Sequence, residues 1–439
     1  MKRSAQIVNR IGGMGLWTTV AATAIATLLI VAATPAHAQT FTVIHSFSGS
    51  DGGNPAAGLT LDRAGNLYGT TTDGGNDRCQ YGCGTVFKLA HAGSGWVLNE
   101  LYKFSGSDGL YPEARVVFGP DGTLYGTTED GGLSNGGTVF NLRPPATVCR
   151  SFSCPWTETL LFQFNSQDNS GTGTTPLGDL SFDAAGNIYG TASDGGLFDN
   201  CSGAGCGVIY ALTPSGGAWT QNIIYNFTGG SDGGHPQSGV IFDHAGNLFG
   251  TASLDNYQDH TAGLIFEFSP SGSAWTESVL YHFQGGNDGA DPVAGVIFDS
   301  VGNLYGVTRD GGFGDGGTVF RLTPSGRQWD FALLYGLSGI AGALGPEADL
   351  VMDSAGNLYG TTTDDGAYGY GSVFKLTPSN GGWSYTSLHD FTYGSDGAYP
   401  YFGSLVMDAS GNLYGTAYAG GNSGSECTER CGVVFEITP

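Results

Sequence analysis

The amino-acid sequence predicts an all-β fold, a seven-bladed β-propeller of four-stranded antiparallel blades, closed by the N-terminal strand pairing with the last blade. Three observations predict it. One short phrase returns seven times, each return carries four strand-like segments, and the strand missing from the last return stands at the start of the mature chain.

The phrase is Asn66-Leu67-Tyr68-Gly69-Thr70-Thr71. With the glycine before it, its copies begin at Gly65, Gly122, Gly186, Gly246, Gly302, Gly356 and Gly411, spaced 54 to 64 residues apart. Such a period marks a propeller or a solenoid. In each unit a short apolar run ends in Asp, as in Val240-Ile241-Phe242-Asp243. A tight turn through Ala-Gly-Asn leads into the phrase, which is the second strand. A Gly/Asp loop leads to the third, such as Gly84-Thr85-Val86-Phe87-Lys88-Leu89. A Thr-Pro-Ser-Gly turn leads to the fourth, such as Trp275 through Phe283. All four segments are short, β-branched or aromatic, and bounded by Gly, Pro, Asn or Asp, the pattern of antiparallel hairpins. No segment holds a 3.6-residue period, so helix is expected to be rare.

The ends of the chain specify closure. The last unit stops after Gly432-Val433-Val434-Phe435-Glu436-Ile437, short of a fourth strand. Phe41-Thr42-Val43-Ile44-His45-Ser46-Phe47 matches fourth strands such as Leu101-Tyr102-Lys103-Phe104. Pairing the two closes the ring and removes exposed sheet edges. An open solenoid would need distinct capping units.

Residues 1–38 read as a secretory signal peptide. Lys2, Arg3 and Arg10 precede an apolar stretch from Thr18 to Ala33, and Pro35-Ala36-His37-Ala38 supplies a small-x-small cleavage site. Residues 39–439 are then the propeller domain. An uncleaved membrane anchor is the rival reading, but the stretch is short and threonine-rich for a span. No later stretch is long enough to cross a membrane. The expected location is secreted, periplasmic or at the cell envelope. Eight cysteines agree, in four close pairs: Cys79 with Cys83, Cys149 with Cys154, Cys201 with Cys206, and Cys427 with Cys431. Even number and local spacing favour disulfides over zinc. Each closes a small loop, so each adds about 2 kcal/mol or less. Full-length net charge is −24, and losing three cations with the leader leaves 12 basic against 39 acidic residues, or −27. Such a surface repels phosphate backbones and excludes nucleic acid as a partner. It also disfavours anionic lipid.

A residue present in every unit usually serves what every unit needs. The phrase itself is therefore construction, its glycine and asparagine supplying turn geometry and its tyrosine packing between blades. Trp96, Trp156, Trp219, Trp275, Trp329 and Trp383 each stand five residues before the Leu or Ile of a fourth strand. They read as blade-to-blade packing in preference to sugar platforms. Two aspartate families lie in loops expected on one face: Asp73, Asp130, Asp194, Asp310 and Asp364, and Asp51, Asp108, Asp232, Asp288 and Asp396. Turn capping is the favoured role. Calcium held by carboxylates and loop carbonyls is the sharper alternative, though the spacing matches no calcium loop.

Departures from the repeat are better site candidates. Each first strand follows a proline: Pro55, Pro112, Pro176, Pro236, Pro292, Pro346 and Pro400. Three residues later the usual residue is Gly, as at Gly58, Gly239, Gly295 and Gly403, but Arg115, Asp179 and Asp349 depart. Glu113, Gln237 and Glu347 lie between. In a propeller these six side chains sit where the channel opens, and they are the candidate ligand-binding residues. Asp179, Glu347 and Asp349 are also the candidate ligands for a divalent metal. An ionic network that merely fills the channel is the structural alternative. Histidines fall at unrelated positions, with His45 and His389 replacing a fourth-strand aromatic in what reads as packing. Nucleophile elbow, zinc-protease and phosphate-loop motifs are absent.

The unit Gly-Asn-Leu-Tyr-Gly-Thr, then Asp-Gly-Gly, then Gly-Thr-Val-Phe-x-Leu-Thr-Pro resembles the GloVer tandem repeat of bacterial secreted "choice-of-anchor" proteins. Gly302 through Pro324 and Gly356 through Pro378 match well. The resemblance spans residues 41 to 439. It implies export and repetition, with no agreed activity and no catalytic residues to carry over. Members often end in an anchoring tail, whereas this chain stops at Thr438-Pro439 directly after a strand, which counts against surface attachment. The expected function is an exported binding or structural module for a glycan, peptide or envelope protein. No cofactor is expected, with calcium or another divalent ion as the variant. The alternative is a metal-assisted lyase or lactonase-type hydrolase at the channel mouth.

Overall fold

The computed structural model describes residues 39–76, 78–93, 95–146, 156–166, 171–197, 201, 203–253, 262–272, 274–338, 344–423, 427 and 430–438. The expected leader lies outside these residues. Of the eight cysteines expected in disulfides, six are found in them: Cys79–Cys83, Cys201–Cys206 and Cys427–Cys431 are bonded. The fourth expected disulfide, between Cys149 and Cys154, is not among those seen. Both Cys149 and Cys154 lie outside the described residues, so that pairing stays an expectation from their spacing.

After β1 (Thr40–Ser46), the first blade is β2 (Thr60–Leu61), β3 (Leu67–Thr71), β4 (Thr85–Ala92) and β5 (Gly95–Lys103). Blades two to six repeat it as β6–β9 within 117–163, β10–β13 within 181–226, β14–β17 within 241–282, β18–β21 within 297–336 and β22–β25 within 351–390. The seventh blade supplies β26 (Val406–Met407), β27 (Leu413–Ala417) and β28 (Val433–Thr438), and its fourth strand is β1. Among the described residues there is no helix.

The closing strand is a genuine fourth strand in its details. Fourth strands pair with third strands through a bulge that skips one residue, as Val86 pairs with Tyr102 and Phe87 with Glu100, leaving Leu101 unpaired. In the closing pair Val434 meets His45 and Phe435 meets Val43, so Ile44 is skipped in the same way. One extra residue on the outer strand adds twist where each blade curves.

Third strands run further than the sequence predicts. The Thr-Pro-Ser segment is strand, with Pro324 opposite Trp329 and Ser325 opposite Gln328, so the turn is only Gly326-Arg327. Proline is tolerated there because the second strand, β19 (Leu304–Thr308), pairs only as far as Leu322, leaving that edge of the ladder free.

The repeated phrase now has a physical account. Its glycine lies opposite an aromatic of the third strand, and a methyl at Gly69 would stand 2.6 Å from the Phe87 ring. Its tyrosine reaches the next blade: Tyr68 meets Phe118 edge-on at 5.2 Å, Tyr125 meets Phe182 at 5.0 Å and Tyr189 meets Phe242 at 5.0 Å. The tyrosine hydroxyl donates to the aspartate ending its own first strand, as Tyr68 does to Asp62 at 3.1 Å. The tryptophan of the following blade packs on the same ring, Trp156 on Tyr68 and Trp275 on Tyr189. The seven apolar clusters accordingly lie between blades, not within them, and one joins Phe47, Tyr414 and Val434 to Leu59, Leu67 and Phe87 across the closure.

One contact recurs at every junction. The glycine opening each third strand abuts the proline that begins the next blade: Gly84 on Pro112, Gly137 on Pro176, Gly207 on Pro236, Gly263 on Pro292, Gly317 on Pro346, Gly371 on Pro400 and Gly432 on Pro55. A methyl at Gly371 or Gly432 would meet the proline Cδ at 2.5 Å. These glycines also hold left-handed φ, 90° at Gly371 and 77° at Gly432.

Two outcomes follow. Gly371→Ala should lower stability by about 3 kcal/mol, combining left-handed strain with overpacking. Gly356→Ala, at φ 80° but with open space around it, should cost only the strain, about 1 kcal/mol. Thermal unfolding of the pair checks the difference. Separately, blade three carries Tyr210 where the other blades carry Phe, and its buried hydroxyl has no partner among the described residues. Tyr210→Phe should therefore stabilise by about 1 kcal/mol in denaturant titration.

Candidate functional site at the channel mouth

The segment before each first strand is positioned by an unusual backbone. The residue preceding the proline is left-handed in six blades: Asn54 (φ 56°), Tyr111 (55°), Thr175 (60°), His235 (49°), Asp291 (57°) and Tyr399 (54°). Such a conformation is costly for side-chain-bearing residues, most of all for β-branched Thr175. Hydrogen bonds on both sides hold it. Asn54 N–H donates to Cys431 O of the preceding blade, and Asn54 O accepts from Thr72 N–H of its own. His235 bridges Cys206 and Ser253 in the same way, and Asp291 bridges Ala262 and Arg309. Each joint thus fixes where the following three residues enter the axis.

Those residues from all seven blades line one central cavity of about 50 Å³. All six sequence-derived candidates, Glu113, Arg115, Asp179, Gln237, Glu347 and Asp349, stand on its wall. The glycines favoured here reflect crowding: a methyl at Gly58 would lie 2.5 Å from Ser404 O.

Arg115 is the cation of the inner wall. Its Nη2 lies 2.6 Å from Asp179 Oδ2, and its main-chain N–H donates to Asp179 Oδ1 at 2.9 Å. Its Nε is buried without a partner among the described residues. The charge of Asp179 raises the Arg115 pKa against the effect of burial, and Asp349 adds to it. Asp349 accepts from Gly295 N–H at 2.7 Å. Burial, then the charge of Asp179, push its carboxyl upward, and Arg115 and that N–H only partly oppose them. Glu347 is buried, accepts from the Thr363 hydroxyl at 2.6 Å, and lies 3.6 Å from Arg309 Nη1. Arg309 also pairs with Asp291 and Asp310. Gln237 Nε2 donates weakly to Ser253 Oγ at 3.5 Å.

Glu113 is different. It has no hydrogen bond or ion pair among the described residues, and its neighbours are acidic. Burial, then the charges of Glu129, Asp73 and Asp130, push its pKa up to about 8. Glu129 is raised to about 7 by burial, then by Asp130 and Asp194. Blade five carries Arg309 at the position of Glu129, so one side of the mouth is charge-compensated and the other is not. Sequence reasoning missed Glu129 and Arg309. The signal was available, because that position, directly after the second strand, is Thr or Ser in four of the other blades.

The three metal candidates do not gather. Asp179 is held by Arg115, Asp349 by Gly295, and Glu347 by Thr363 and Arg309. Among the described residues no group of three or more His, Cys, Asp or Glu is placed to hold a metal ion. The Ser-Asp-Gly aspartates cap turns: Asp108 accepts from Ser105 N–H at 2.7 Å and Asp232 from Thr228 N–H at 2.8 Å. A fourth-strand tyrosine anchors each cap, Tyr102 to Asp108 and Tyr225 to Asp232. His45 and His389 do more than pack, for they occupy that tyrosine position and meet Asp51 at 3.1 Å and Asp396 at 3.2 Å.

The profile of the Gloeobacter/Verrucomicrobia repeat matches residues 12–258 and 253–439. The chain belongs to this repeat family. No curated protein matches the sequence. Among solved structures it is similar to virginiamycin B lyase from Staphylococcus aureus, at 13% identity and a TM-score of 0.51, over 91% of this chain and 100% of that one. A Bacteroides uniformis protein provisionally named a 6-phosphogluconolactonase aligns at 15% identity and a TM-score of 0.49, over 77% and 86%. A Dyadobacter fermentans protein of unknown function aligns at 11% and 0.43, over 90% and 97%. At 13% identity the likeness to the lyase structure bears on the fold alone.

The raised carboxyls give the fold a pH signature. Both folded pKa values exceed the ordinary 4.5, so the stability they lend is complete below that value and is lost as pH rises through about 7 and about 8. Glu129→Gln should melt like the parent near about pH 4 and clearly above it near about pH 9. Equal melting temperatures at both would show that burial and its acidic neighbours do not penalise an ionised Glu129 in the fold.

Proposed function

We propose that the protein is an exported β-propeller that binds rather than catalyses, taking a glycan, a peptide or an envelope protein at the channel mouth. The observation that carries this reading is the convergence of the repeat-breaking side chains on one cavity, beside two glutamates that lack a counter-charge among the described residues. Unpaired carboxyls in a recess favour a ligand that brings a cation or strong hydrogen-bond donors. A lysine or arginine side chain does so, and so does the ammonium of an amino sugar. Export is supported by the leader-like N-terminus, by the three disulfides and by the acidic surface. The metal-assisted lyase or hydrolase has weaker support, since its three carboxylates are separately engaged and the likeness to a lyase concerns fold alone.

Calorimetric titration with trilysine and glucosamine tests the reading, with their N-acetylated forms as controls. The free amines should bind and the acetylated forms should not. Affinity for trilysine should rise with pH as Glu113 and Glu129 ionise, and Glu129→Gln should weaken it about tenfold, the loss expected for one charge-assisted contact. Equal binding of acetylated and free forms would remove the support. Stoichiometric calcium whose removal lowers the melting temperature would favour the enzymatic alternative.

A further inference from the structure

Large apolar side chains ordinarily leave water, yet the loops after the second strands expose several. Leu133 is 88% exposed, Phe313 84%, Tyr368 62% and Leu197 61%. They belong to blades two, five, six and three, and all emerge on the face that carries the mouth. In antiparallel blades, the loops after second strands and the links after fourth strands leave by the same end.

The main chain at these positions is pinned while the side chain is not. Leu133 N–H donates to Gln163 Oε1 at 2.8 Å, and Leu197 N–H to Asn226 Oδ1 at 3.1 Å. In blade six Ala367 N–H, just before Tyr368, donates to Asp390 Oδ1 at 3.1 Å. Gln163, Asn226 and Asp390 each end the fourth strand of their own blade. In blade five that strand ends in Gly336, and a methyl there would lie 3.4 Å from Phe313 N. Blades two and three therefore hold their leucines by the same device, blade six pins the residue before Tyr368, and in blade five the chain at Phe313 packs against the bare Gly336. A pinned main chain leaves only side-chain freedom to lose on contact, which suits these residues as interface anchors.

We propose that this face docks a second protein whose contact surface sets lysine or arginine side chains over the mouth and apolar groups over the collar of Leu133, Leu197, Phe313 and Tyr368. This rests on the binding reading above and names its partner class. Charge complementarity selects the occupant. On blades one to three, Asp73, Glu113, Glu129, Asp130 and Asp194 crowd together, while Arg115 and Arg309 are already tied to carboxylates. The hydroxyl of Thr72 beside them is buried with no partner among the described residues. In blade six the same position, Thr363, donates to Glu347. Like charge disfavours a second copy of this chain, since each copy without the leader bears −27.

The test uses fluorescence anisotropy with two labelled probes, an amphipathic peptide of leucine and lysine and a hexalysine. The amphipathic peptide should bind more tightly than hexalysine. The triple variant L133S/L197S/F313S should weaken the amphipathic peptide at least about tenfold, leave hexalysine unchanged and keep the parental melting temperature. Glu129→Gln should weaken both probes. Equal binding of the amphipathic peptide to parent and triple variant overturns the docking collar. If hexalysine still depends on Glu129 in that case, the mouth reading survives alone. If neither probe senses Glu129, the mouth reading fails as well. Concentration-dependent self-association that the triple variant abolishes would make the collar a contact between copies and overturn the proposal.

Discussion

The contact between a glycine and the proline of the next blade is what the rest of the structure depends on. At each of the seven junctions the third strand opens on a left-handed glycine with no side chain, and the proline ring fills the space. That contact sets the distance between blades. In six blades the residue before the proline is left-handed, and at joints such as Asn54, His235 and Asp291 it donates to one blade and accepts from the other, so spacing and orientation are fixed at one place. Tyrosine, phenylalanine and tryptophan fill the wedge further out. Apolar burial supplies the bulk of the free energy, and the joint supplies the geometry that lets seven wedges meet.

Closure follows from the same economy. Gly432 meets Pro55 as the six other glycines meet their prolines, and Asn54 N–H reaches Cys431 O across the junction. The strand β1 joins β28 with the same skipped residue as every other blade. The closing blade is assembled from two ends of the chain, yet its local geometry is that of a continuous one. Pairing with β1 covers the outer side of β28, which would otherwise be left as the edge of a three-stranded blade.

Scaffold and site are separated by repetition. Residues that recur from blade to blade are bound up in packing or turns, including Asp62 and its five counterparts, which accept from neighbouring asparagines and tyrosines. Residues that break the repeat gather at the axis. This is why much was legible in sequence: the blade count, the closing strand and the inner wall from Arg115 to Asp349 all followed from counting copies and marking exceptions. Third-strand length was misjudged because Thr-Pro-Ser reads as a turn until one knows that the second strand does not reach it. The roles of His45 and His389 were hidden because their aspartate partners lie six or seven residues on, in a link that looks like ordinary turn sequence. The opposition of Glu113 and Glu129 was invisible because it depends on a fold that returns the chain beside itself. The pinned collar depends on a hydrogen bond from the end of a strand about thirty residues away.

If the same glycine–proline contact holds all seven junctions, the one that joins the two ends of the chain should be no weaker than an internal one. Native-state hydrogen exchange reads this directly at Asn54 N–H, which crosses the closure, and at Asp291 N–H, which crosses an internal junction. Comparable protection at the two amides, both approaching that of global unfolding, is the expected result. Exchange at Asn54 through a separate, low-energy opening while Asp291 stays protected would contradict a ring closed by the same contact throughout.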